Sequence, residues 1–349
     1  MSEKAKVSVI IPLYRGKDSI MPCLHFLKKQ EGVDIEIILV DNGCPQDTGI
    51  WASKYLRETA KDTNWKLIDL PHNAGFAAGS NAAYAQATGD FICFMNQDVR
   101  VDYDFLKILI GRLQAHPDWC GACGTLYRWK SETNNGELEI DSTGHEIYRS
   151  RIVKNRGVGL KVRHRKDFIF REGPVFGMSA ACSVYRREAL EQVREEEGPF
   201  DPDYFSYFED VDLDYRMNRA GWVHGYVPEA VGFHELAASG GRREILIKIR
   251  AYGNRRRLLL KHETFQSMDP DLLPIVAQDV ISMFRTLFTD PLVAIFGPLV
   301  FTMSLPSVMK RRNRLEEKLG VDRNWIWKWI KLDTFRLPGN SSKSGVLAD

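Results

Sequence analysis

Acidic side chains that follow apolar runs are the residues of this sequence best suited to chemistry. Asp98 closes the stretch 89–98, in which five apolar residues precede Asn96 and Gln97. A short unbroken apolar run is typical of a strand buried on both faces of a parallel sheet, and ligands bind at the carboxyl ends of such strands. Divalent cations prefer carboxylate oxygen, so Asp98 could hold a metal-bound diphosphate. It could equally cap a helix that follows, and this stretch does not decide between the two.

A second acidic group lies in the run 208–216, where four acids occupy six positions. The apolar spacing predicts a helix that stops at Gly221. At about 100° per residue, Asp210 and Asp214 share one face of that helix and Asp212 points away. The acids could simply favour the positive end of the helix dipole. Alternatively, one of them serves as a general base toward an acceptor hydroxyl.

Polar residues also follow two earlier apolar segments. Asp41 could accept the imide N–H of a uracil or thymine ring, a donor that adenine lacks. Asn73 follows the next segment, and Gly75 and Gly79 precede and enter an alanine-rich helix, where free N–H groups favour anions. The sequence contains neither G-x-G-x-x-G nor the P-loop pattern, so a dinucleotide-binding fold and a P-loop site are both disfavoured.

Strand and helix patterns alternate with short connections in the first part of the chain, which indicates βαβ units and a parallel sheet. The polar residues that end these strands, Asp41, Asn73 and Asp98, should therefore cluster along one edge. From 127 to 171 the pattern loosens into an irregular insertion or small antiparallel strands. The predicted strands are 7–11 (ended by Pro12), 35–40, 65–70, 91–95 and 223–227, and the predicted helices are 20–27, 48–61, 77–88, 105–113 and 187–193.

The composition is that of an ordinary globular protein of 349 residues, with 44% hydrophobic and 27% charged residues. The net charge of +2 does not indicate any particular class of binding partner, and we expect no nucleic-acid binding. Cys120 and Cys123 form a lone C-x-x-C in an apolar segment, so we expect buried thiols in a reducing compartment. No secretory signal is visible near the N-terminus.

The C-terminal third is both basic and apolar. Residues 291–309 carry no charge and are about long enough to span a bilayer, which needs roughly 20 apolar residues, but Pro298 and Pro306 interrupt them. Basic clusters beside interrupted apolar helices fit a protein lying on an anionic membrane surface, with tryptophans at the headgroup level. The alternatives are a soluble helical subdomain, a dimer interface and a true span. The basic residues are Arg242, Arg243, Lys248, Arg250, Arg255, Arg256, Arg257 and Lys261, and the tryptophans are Trp325, Trp327 and Trp329.

Together these segments resemble the inverting family 2 glycosyltransferases of the GT-A fold. The resemblance is strongest to the bacterial rhamnosyltransferase-like branch, which builds cell-surface polysaccharides. It rests on several motifs that occur in the family's order. They are Val-Ile-Ile-Pro-Leu-Tyr at 9–14, Val-Asp-Asn-Gly at 40–43, Asn-Ala-Gly-Phe-Ala-Ala-Gly-Ser-Asn at 73–81, Gly-Asp at 89–90 with Asn-Gln-Asp at 96–98, Phe-Asp at 200–201 with Tyr-Phe-Glu-Asp-Val-Asp at 207–212, and Arg-Ala-Gly-Trp at 219–222.

The resemblance implies a role for each matching residue. Asp210 matches the catalytic base, with Glu209 before it in the family's E-D pair. Asp98 matches the last position of the D-x-D metal motif, and His234 matches a downstream histidine that joins the metal site in some members. Asn96 stands where many members carry the first Asp, which removes one negative charge near the diphosphate. The implied nucleotide-binding residues are Pro12, Tyr14, Asp41, Asn73, Gly75, Asn81, Asn96 and Gln97.

The resemblance also implies an architecture and a reaction. The fold class is α/β, a mostly parallel, Rossmann-like GT-A sheet with flanking helices, followed by a C-terminal helical region. The expected domains are a catalytic domain over 1–240, whose nucleotide-binding half covers about 1–125 and acceptor half about 126–240, and a membrane-associating region over 241–349. The expected cofactor is Mg²⁺ or Mn²⁺. The expected reaction moves a sugar, rhamnose from dTDP-rhamnose in the favoured case, from a dTDP- or UDP-sugar to a hydroxyl of a lipid-linked glycan.

The expected place of this reaction is the cytoplasmic face of the inner membrane, in surface polysaccharide or lipopolysaccharide synthesis. Two other functions remain open. A sugar-1-phosphate nucleotidylyltransferase would share the sheet and the metal, but it normally begins with a glycine-rich loop, and residues 12–17 contain one glycine. A catalytically inactive scaffold of a membrane complex would keep the fold, and the intact Asp98 and Asp210 argue against it. A homo-oligomer stays open.

Overall fold

The computed structural model describes residues 4–60, 63–129, 137–165, 167–235, 245–320 and 324–332. The predicted end of the second helix, Lys61, lies outside these ranges. So do Arg242 and Arg243, together with the predicted domain boundary between residues 240 and 241.

Parallel strands and crossover helices form the first part of the fold. They are β1 (Lys6–Leu13), α1 (Lys17–Leu27), β2 (Asp34–Asn42), α2 (Thr48–Thr59), β3 (Asn64–Leu70), α3 (Gly75–Tyr84) and β4 (Phe91–Met95). The strand order is β3-β2-β1-β4, and all three pairings are parallel, as predicted. Pro12 does not end β1. Because β4 pairs only with residues 7–10, Pro12 lies where β1 has one paired neighbour, and a residue without an N–H is tolerated there.

Later strands make the sheet mixed rather than mostly parallel. The elements are β5 (Val99–Val101), α4 (Phe105–Ala115), β6 (Trp119–Arg128), β7 (Leu138–Ser142), β8 (His145–Tyr148), β9 (Val153–Asn155), β10 (Lys161–Val162), β11 (Gly173–Val175), β12 (Cys182–Arg186), α5 (Arg187–Val193), α6 (Glu209–Arg219) and β13 (Val223–His234). Strand β12 is antiparallel to both β4 and β6, while β13 is parallel to β6 and antiparallel to β5. The loosened pattern of residues 127–171 therefore gives short antiparallel strands, one of the two alternatives.

Helices cover both faces of the sheet, and this explains the unbroken apolar runs of the strands. One core lies between the sheet and helices α1, α2 and α4, and it contains Val9 and Ile11 of β1. The other lies between the sheet and helices α3, α5 and α6, and it contains Ile10. Neighbouring residues of a strand point to opposite faces, so a strand covered on both sides is apolar at most positions.

The C-terminal region is helical, as expected. Its helices are α7 (Ile245–Ala251), α8 (Asn254–His262), α9 (Phe265–Met268), α10 (Leu272–Thr289) and α11 (Pro291–Leu319), and β14 (Ile330–Lys331) joins β8 and β9 in a small second sheet. Pro298 and Pro306 lie inside α11 and do not break it, contrary to the expectation from the sequence. Both prolines are exposed, and the opposite face of α11 packs against α7 and α8, which holds the helix continuous.

The end of the described chain completes the core rather than extending away from it. Ile326 is buried in a cluster with Tyr215 of α6 and Leu258 of α8, and Trp325 and Trp329 pack against that cluster. The Trp325 and Tyr215 rings lie edge to face with their centroids 5.2 Å apart. Trp325 and Trp329 are therefore partly buried against this cluster, whereas Trp327 is 37% exposed, and a place for these tryptophans at a membrane surface stays a prediction.

Candidate active site

Asp210 lies in the first turn of α6, where the acidic run predicted a helix start. Its side chain is 17% exposed. Its carboxylate accepts the backbone N–H groups of Ala180, at 3.2 Å, and of Val211, at 2.9 Å. The other three acids of the run are buried, namely Glu209, Asp212 and Asp214. Within this run, Asp210 is therefore the carboxylate that a substrate can reach.

Strained backbone precedes α6. Phe205, Tyr207 and Phe208 have φ angles of 62°, 69° and 74°, in a region that residues other than glycine rarely adopt. Asn254, the first residue of α8, holds this segment, because its side-chain Nδ2 donates to the carbonyl oxygens of Tyr204, at 3.0 Å, Ser206, at 3.1 Å, and Tyr207, at 2.7 Å. The approach to Asp210 is thus held by a residue of the C-terminal helices. No sequence motif marked Asn254 for this role.

Glu209 precedes Asp210 but is placed differently. It is buried, and its Oε2 atom has no hydrogen-bond partner among the described residues. Burial, together with the neighbouring Asp210, raises the pKa of Glu209 well above its usual range. Glu209 is therefore an enclosed acid whose burial favours the protonated form, and the structure does not present it as a second open carboxylate.

Asp212 points away from Asp210, as the helical periodicity predicted, into a buried ion network. Its carboxylate accepts from Arg216 Nε at 2.8 Å and from His262 Nε2 at 2.8 Å. Lys261 Nζ lies 2.9 Å from Asp212 Oδ1. Burial opposes the ionisation of Asp212, but Lys261 and Arg216 outweigh it and hold its pKa well below the usual range. This carboxylate stabilises the fold and faces no substrate.

The same network brings three carboxylates together. Ligand atoms of Glu195, Asp201 and Asp212 all lie within 4.8 Å of one another, a spacing that would suit a metal ion. The Lys261 ammonium group stands between them, at 2.6 Å, 2.7 Å and 2.9 Å from the three carboxylates. Because a cation already neutralises these groups, we do not place a metal here.

A smaller group of metal-ligating side chains lies at the edge of the sheet predicted for the diphosphate. The antiparallel pairing of β13 with β5 sets His234 opposite Val99, beside Asp98. His234 Nε2 lies 3.2 Å from Asp98 Oδ1, and His234 Nδ1 lies 2.8 Å from Asp141 Oδ2. Since β5 follows Asp98, the alternative in which Asp98 caps a helix is wrong.

The arrangement around His234 fits a cation. Metal-binding histidines usually donate the ring N–H that does not face the metal to a carboxylate, which orients the ring. Here Asp141 takes that position, and Asp98 Oδ1 and His234 Nε2 converge as neighbouring ligand atoms. Burial works against a charged imidazole, but the hydrogen bonds with Asp141 and Asp98 outweigh it and raise the pKa of His234 to about 9. Asp141 comes from the loosened region, and no sequence pattern marked it.

Asp41 lies within β2, as its next-to-last residue, rather than after the strand as predicted, and it also has a structural task. Its Oδ1 accepts the backbone N–H of Cys44 at 2.8 Å, and its Oδ2 accepts that of Gly49 at 3.1 Å. These bonds close the loop between β2 and α2. Each carboxylate oxygen has a second lone pair, so Asp41 can still accept from a nucleobase.

The N-terminus of α3 does not offer free N–H groups to an anion, contrary to the prediction for Gly75 and Gly79. Asn73 Oδ1 accepts the Gly75 N–H at 2.9 Å, and the Phe205 carbonyl accepts the Ala77 N–H at 3.2 Å. The Phe76 N–H bonds to Ser206 Oγ at 3.2 Å. Gly75 has a φ of +84°, and a Cβ there would lie 2.2 Å from the Phe205 oxygen. Gly75 is therefore required for close packing, and its predicted contact with the nucleotide stays a prediction.

Gln97 orients the loop after β1. Its Nε2 donates to the Tyr14 carbonyl at 2.8 Å, and its Oε1 accepts the Tyr14 N–H at 3.2 Å. Tyr14 and Pro12 are partly exposed beside this loop. Gln97 is buried, so in this structure it fixes the Tyr14 loop, and its predicted contact with a nucleotide stays a prediction.

The two remaining asparagines differ in their surroundings. Asn96 is partly exposed, and its Nδ2 lies 3.4 Å from His234 Nε2, so it belongs to the edge of the Asp98 group. Asn81 is buried in α3 and bonds with both amide atoms to the backbone of Phe200, at 2.7 Å and 3.0 Å. Asn81 joins two segments of the fold, and this placement does not support the predicted contact with a nucleotide.

Comparison with known proteins identifies the family. The model of Glycosyl transferase family 2 matches residues 8–194, more than half of the chain. A curated relative, the N-acetylglucosaminyl-diphospho-decaprenol L-rhamnosyltransferase of Mycobacterium tuberculosis, is 48% identical over 225 residues, covering 60% of this chain and 69% of that protein.

Solved structures share the fold at low sequence identity. The mannosyltransferase PcManGT from Pyrobaculum calidifontis, in complex with GDP-Man and Mn²⁺, has a TM-score of 0.51 and 17% identity, and the match covers 94% of this chain and 84% of that one. The S. aureus TarS 1-349 structure with UDP-GlcNAc has a TM-score of 0.52 and 15% identity, over 90% and 84% of the two chains. These likenesses show the fold.

The mixed sheet, its flanking helices and the family match together define an enzyme class: this chain is a glycosyltransferase. It belongs to Glycosyl transferase family 2 and is of the rhamnosyltransferase type. The α/β fold class with a C-terminal helical region, predicted from the sequence, is confirmed, with the correction that the sheet is mixed.

Proposed function

We propose that this enzyme is an inverting glycosyltransferase with Asp210 as its general base. The observation that carries the proposal is the difference in exposure within the acidic run. Asp210 is open at the start of α6, and its three acidic neighbours are enclosed by the fold. A base must reach the proton that it removes, and in this run only Asp210 meets that condition.

The proposed reaction is a single displacement. The acceptor hydroxyl oxygen forms a bond to the anomeric carbon, and its proton passes to the Asp210 carboxylate. The bond between the anomeric carbon and the diphosphate oxygen breaks, and the nucleoside diphosphate departs with the electron pair. Attack opposite the leaving group inverts the anomeric configuration, and no covalent sugar–enzyme intermediate forms.

The favoured donor is dTDP-rhamnose, and the favoured acceptor is a lipid-linked glycan of surface polysaccharide or lipopolysaccharide synthesis. The support is the 48% identical relative, whose name gives an L-rhamnosyltransferase acting on N-acetylglucosaminyl-diphospho-decaprenol. Asp41 at the end of β2 would accept the imide N–H of thymine, or of uracil in a UDP-sugar, with its remaining lone pairs. Tyr14 and Asn73 would line the same pocket.

A divalent cation, Mg²⁺ or Mn²⁺, would be held by Asp98 and His234, with Asp141 orienting the imidazole ring. When bound, it would supply positive charge beside the departing diphosphate. Asn96 lies at the edge of this group and carries no negative charge. The chain would therefore offer fewer anionic ligands here than a D-x-D pair does.

The C-terminal helices would attach the enzyme to the cytoplasmic face of the inner membrane. By length and composition alone, residues 265–289 and 291–319 could each cross a membrane. However, α11 packs one face against the protein, where Gly297 contacts Tyr252 and Gly253 contacts Phe301. At about 1.5 Å per residue, the 29 residues of α11 extend roughly 44 Å, beyond a hydrocarbon core of about 30 Å. A helix with one protein-covered face fits in-plane binding better than a span.

Helices α10 and α11 each expose many large apolar side chains, and exposed apolar patches mark sites of interaction with proteins or membranes. Among the described basic residues expected to bind anionic lipid, three are used inside the fold: Arg255 pairs with Asp279, and Arg257 and Lys261 are buried. Attachment would therefore depend mainly on the apolar faces. The exposed apolar residues are Leu272, Leu273, Val276, Val280, Ile281, Met283, Phe284, Leu287, Phe288, Leu292, Ile295, Phe296, Leu299, Met303 and Met309.

The test of the proposed function is a transfer assay with purified full-length enzyme in detergent. The donors are dTDP-L-rhamnose, UDP-N-acetylglucosamine and GDP-mannose, and the acceptor is N-acetylglucosaminyl diphosphate carrying a polyprenyl tail. We expect a rhamnosylated lipid of inverted anomeric configuration, with dTDP released in equal amount. Retained configuration would overturn the inverting mechanism, and transfer from another donor alone would overturn the choice of rhamnose.

A further inference from the structure

His145 lies directly behind Asp210 and links it to a second carboxylate. Its Nε2 atom is 3.9 Å from Asp210 Oδ2, and its Nδ1 atom is 2.7 Å from Asp214 Oδ2. His145 is 5% exposed and Asp214 is fully buried. The three side chains therefore form a line that runs from the open carboxylate into the interior.

The fold holds this line in place from several sides. Asp214 Oδ1 accepts the Met178 N–H at 3.0 Å, and the His145 backbone N–H donates to the Gly177 carbonyl at 2.7 Å. A Cβ atom at Gly177 would lie 1.9 Å from Asp214 Oδ2. The chain at Gly177 thus passes so close to the carboxylate that only glycine fits, and Asp214 has little freedom to move.

The surroundings of the His145 ring decide its protonation. Asp214 and Asp210 face its two nitrogen atoms, and Asn155 accepts a hydrogen bond from the same ring. An ionised carboxylate can accept hydrogen bonds but cannot donate them. A ring nitrogen that faces an ionised carboxylate is therefore expected to carry a proton. Burial works against the charged ring, but Asp214 outweighs it and raises the pKa of His145. Burial also raises the pKa of Asp214.

Either arrangement of the shared proton has the same consequence for Asp210. If the proton between His145 and Asp214 rests on Nδ1, the pair is an imidazolium beside a carboxylate. If it rests on Asp214, the pair is a neutral imidazole beside a carboxylic acid. In both cases the pair is neutral overall, and Nε2, which lies 3.9 Å from Asp210 Oδ2, carries a proton.

Other titratable groups near this line do not compete for that role. His224 Nε2 lies 3.4 Å from Asp214 Oδ1, but burial lowers the pKa of His224 to about 3, so the ring is neutral. Lys328 acts on His224 from farther away. Burial, together with the charge of Asp214, raises the pKa of Cys120 and of Tyr185 well above the usual range, so both side chains are neutral.

We propose that His145, anchored by Asp214, is the positioning residue of the catalytic base: its Nε2 atom lies at ion-pair distance from Asp210 Oδ2, 3.9 Å, and keeps that carboxylate in the orientation that receives the acceptor proton. The inference rests on the proposed function, since it requires Asp210 to be the base. Of the two residues behind it, His145 comes from a strand of the loosened region and Asp214 from α6 itself.

Two substitutions of His145 separate its two contacts. In His145→Asn, the amide nitrogen can replace Nδ1 and keep the bond to Asp214, but nothing reaches Asp210. In His145→Gln, the amide nitrogen can replace Nε2 and keep a donor toward Asp210. The assay measures rhamnose transfer from dTDP-L-rhamnose to the polyprenyl-linked acceptor with the full-length enzyme. We expect His145→Asn to lower kcat about a hundred-fold, as misplaced catalytic groups do, and His145→Gln to retain at least ten times more activity, with KM for the donor unchanged in both.

The pH profile distinguishes positioning from a merely structural role. Because the pKa of His145 is raised, its contribution is present at low pH and is lost as pH rises through that pKa. The wild-type profile should therefore fall on its alkaline side, and this fall should disappear in both variants. The matched control is His262→Asn, which removes another buried histidine bonded to an aspartate, Asp212, on the opposite side of α6. It should lower the melting temperature and leave the shape of the profile unchanged.

The outcomes are distinguishable. Equal loss of kcat in both His145 variants at every pH, with lower melting temperatures, would show that His145 only stabilises the fold. If Asp210→Asn leaves kcat unchanged, the proposed function fails and the inference fails with it. A further readout needs no substrate: the ¹⁵N signals of His145 should titrate at a lower pH in Asp210→Asn than in the wild type, because one facing carboxylate is gone. An unchanged midpoint would contradict the contact.

Discussion

Lys261 Nζ lies 2.9 Å from Asp212 Oδ1, so a lysine of the C-terminal helix α8 forms an ion pair with the helix that carries Asp210. Arg311 of α11 joins the same network, with its Nε atom 3.2 Å from Asp201 Oδ1. The C-terminal region is thus built into the active-site half of the enzyme. Removing residues 264–349 would delete Arg311 and uncover the core that Trp325 closes.

Replacing Lys261 should destabilise the whole fold. Lys261→Met would leave the carboxylates of Glu195, Asp201 and Asp212 buried without their shared cation, and breaking a buried ion pair in this way costs about 3–5 kcal/mol. Urea unfolding followed by circular dichroism measures the loss. Lys310→Met is the matched control, because Lys310 is exposed on α11. A loss below about 1 kcal/mol would show that the network does not hold α6 and α8 together.

Asp210→Asn should abolish most transfer while leaving the protein folded. The amide keeps the size of the carboxylate but cannot take the acceptor proton, and general base catalysis contributes roughly a hundred- to ten-thousand-fold. We expect kcat to fall within that range and dTDP binding to survive in a calorimetric titration.

The control for Asp210→Asn should be another Asp→Asn change that leaves the fold intact. Asp212→Asn does not serve, because Asp212 is buried in the ion network and its loss would unfold the helix. Asp90→Asn is suitable, since Asp90 is exposed and precedes β4 at the opposite edge of the sheet. If the two variants lose equal activity, Asp210 is not the base.

Binding of the divalent cation should depend strongly on Asp98 and more weakly on Asp141. Asp98→Ala removes a proposed ligand and should abolish measurable Mn²⁺ binding in an electron paramagnetic resonance titration. Asp141→Asn removes only the carboxylate that orients His234 and should weaken binding about 10- to 100-fold, as for other partners of metal-bound histidines. Full turnover in excess chelator would overturn the metal proposal.

The donor base should be a pyrimidine recognised by Asp41. Asp41→Ala should weaken dTDP and UDP binding several-fold in calorimetry and leave the weak binding of GDP unchanged. Asp41 also closes the loop to α2 by accepting the backbone N–H groups of Cys44 and Gly49. Asp41→Asn is therefore measured as well, because its amide oxygen can keep one of these two hydrogen bonds. Tighter binding of ADP or GDP than of dTDP in the wild type would contradict the assignment.

Membrane attachment should depend on the outer faces of α10 and α11. Leu273 and Phe288 are each 81% exposed and Met303 is 74% exposed, so replacing all three with Glu should not disturb the core. The full chain should pellet with vesicles of phosphatidylglycerol and phosphatidylethanolamine and be partly released by alkaline carbonate. The triple variant should stay in the supernatant with unchanged melting temperature. A wild-type chain that ignores these vesicles would overturn the proposal.

Those parts of this enzyme that depend on local pattern follow from the amino-acid sequence alone. Buried strands on a two-sided sheet are apolar at most positions, so β1, β2 and β4 are recognisable, and so is the edge where Asp41 and Asp98 lie. Helical periodicity is enough to separate Asp210 and Asp214 from Asp212. The motifs at 9–14 and 207–212 lead to the family.

Tertiary packing, in contrast, decides which of these groups are open and what lies behind them. Asp141, His145 and Asn254 have no local signature, because each acts through a contact with residues far away in the chain. The basic residues of α8 have the pattern of a surface charge, yet Lys261 is enclosed by three carboxylates. Whether a charged side chain faces water or a buried partner depends on how distant segments pack. Periodicity along the chain carries no information about that packing.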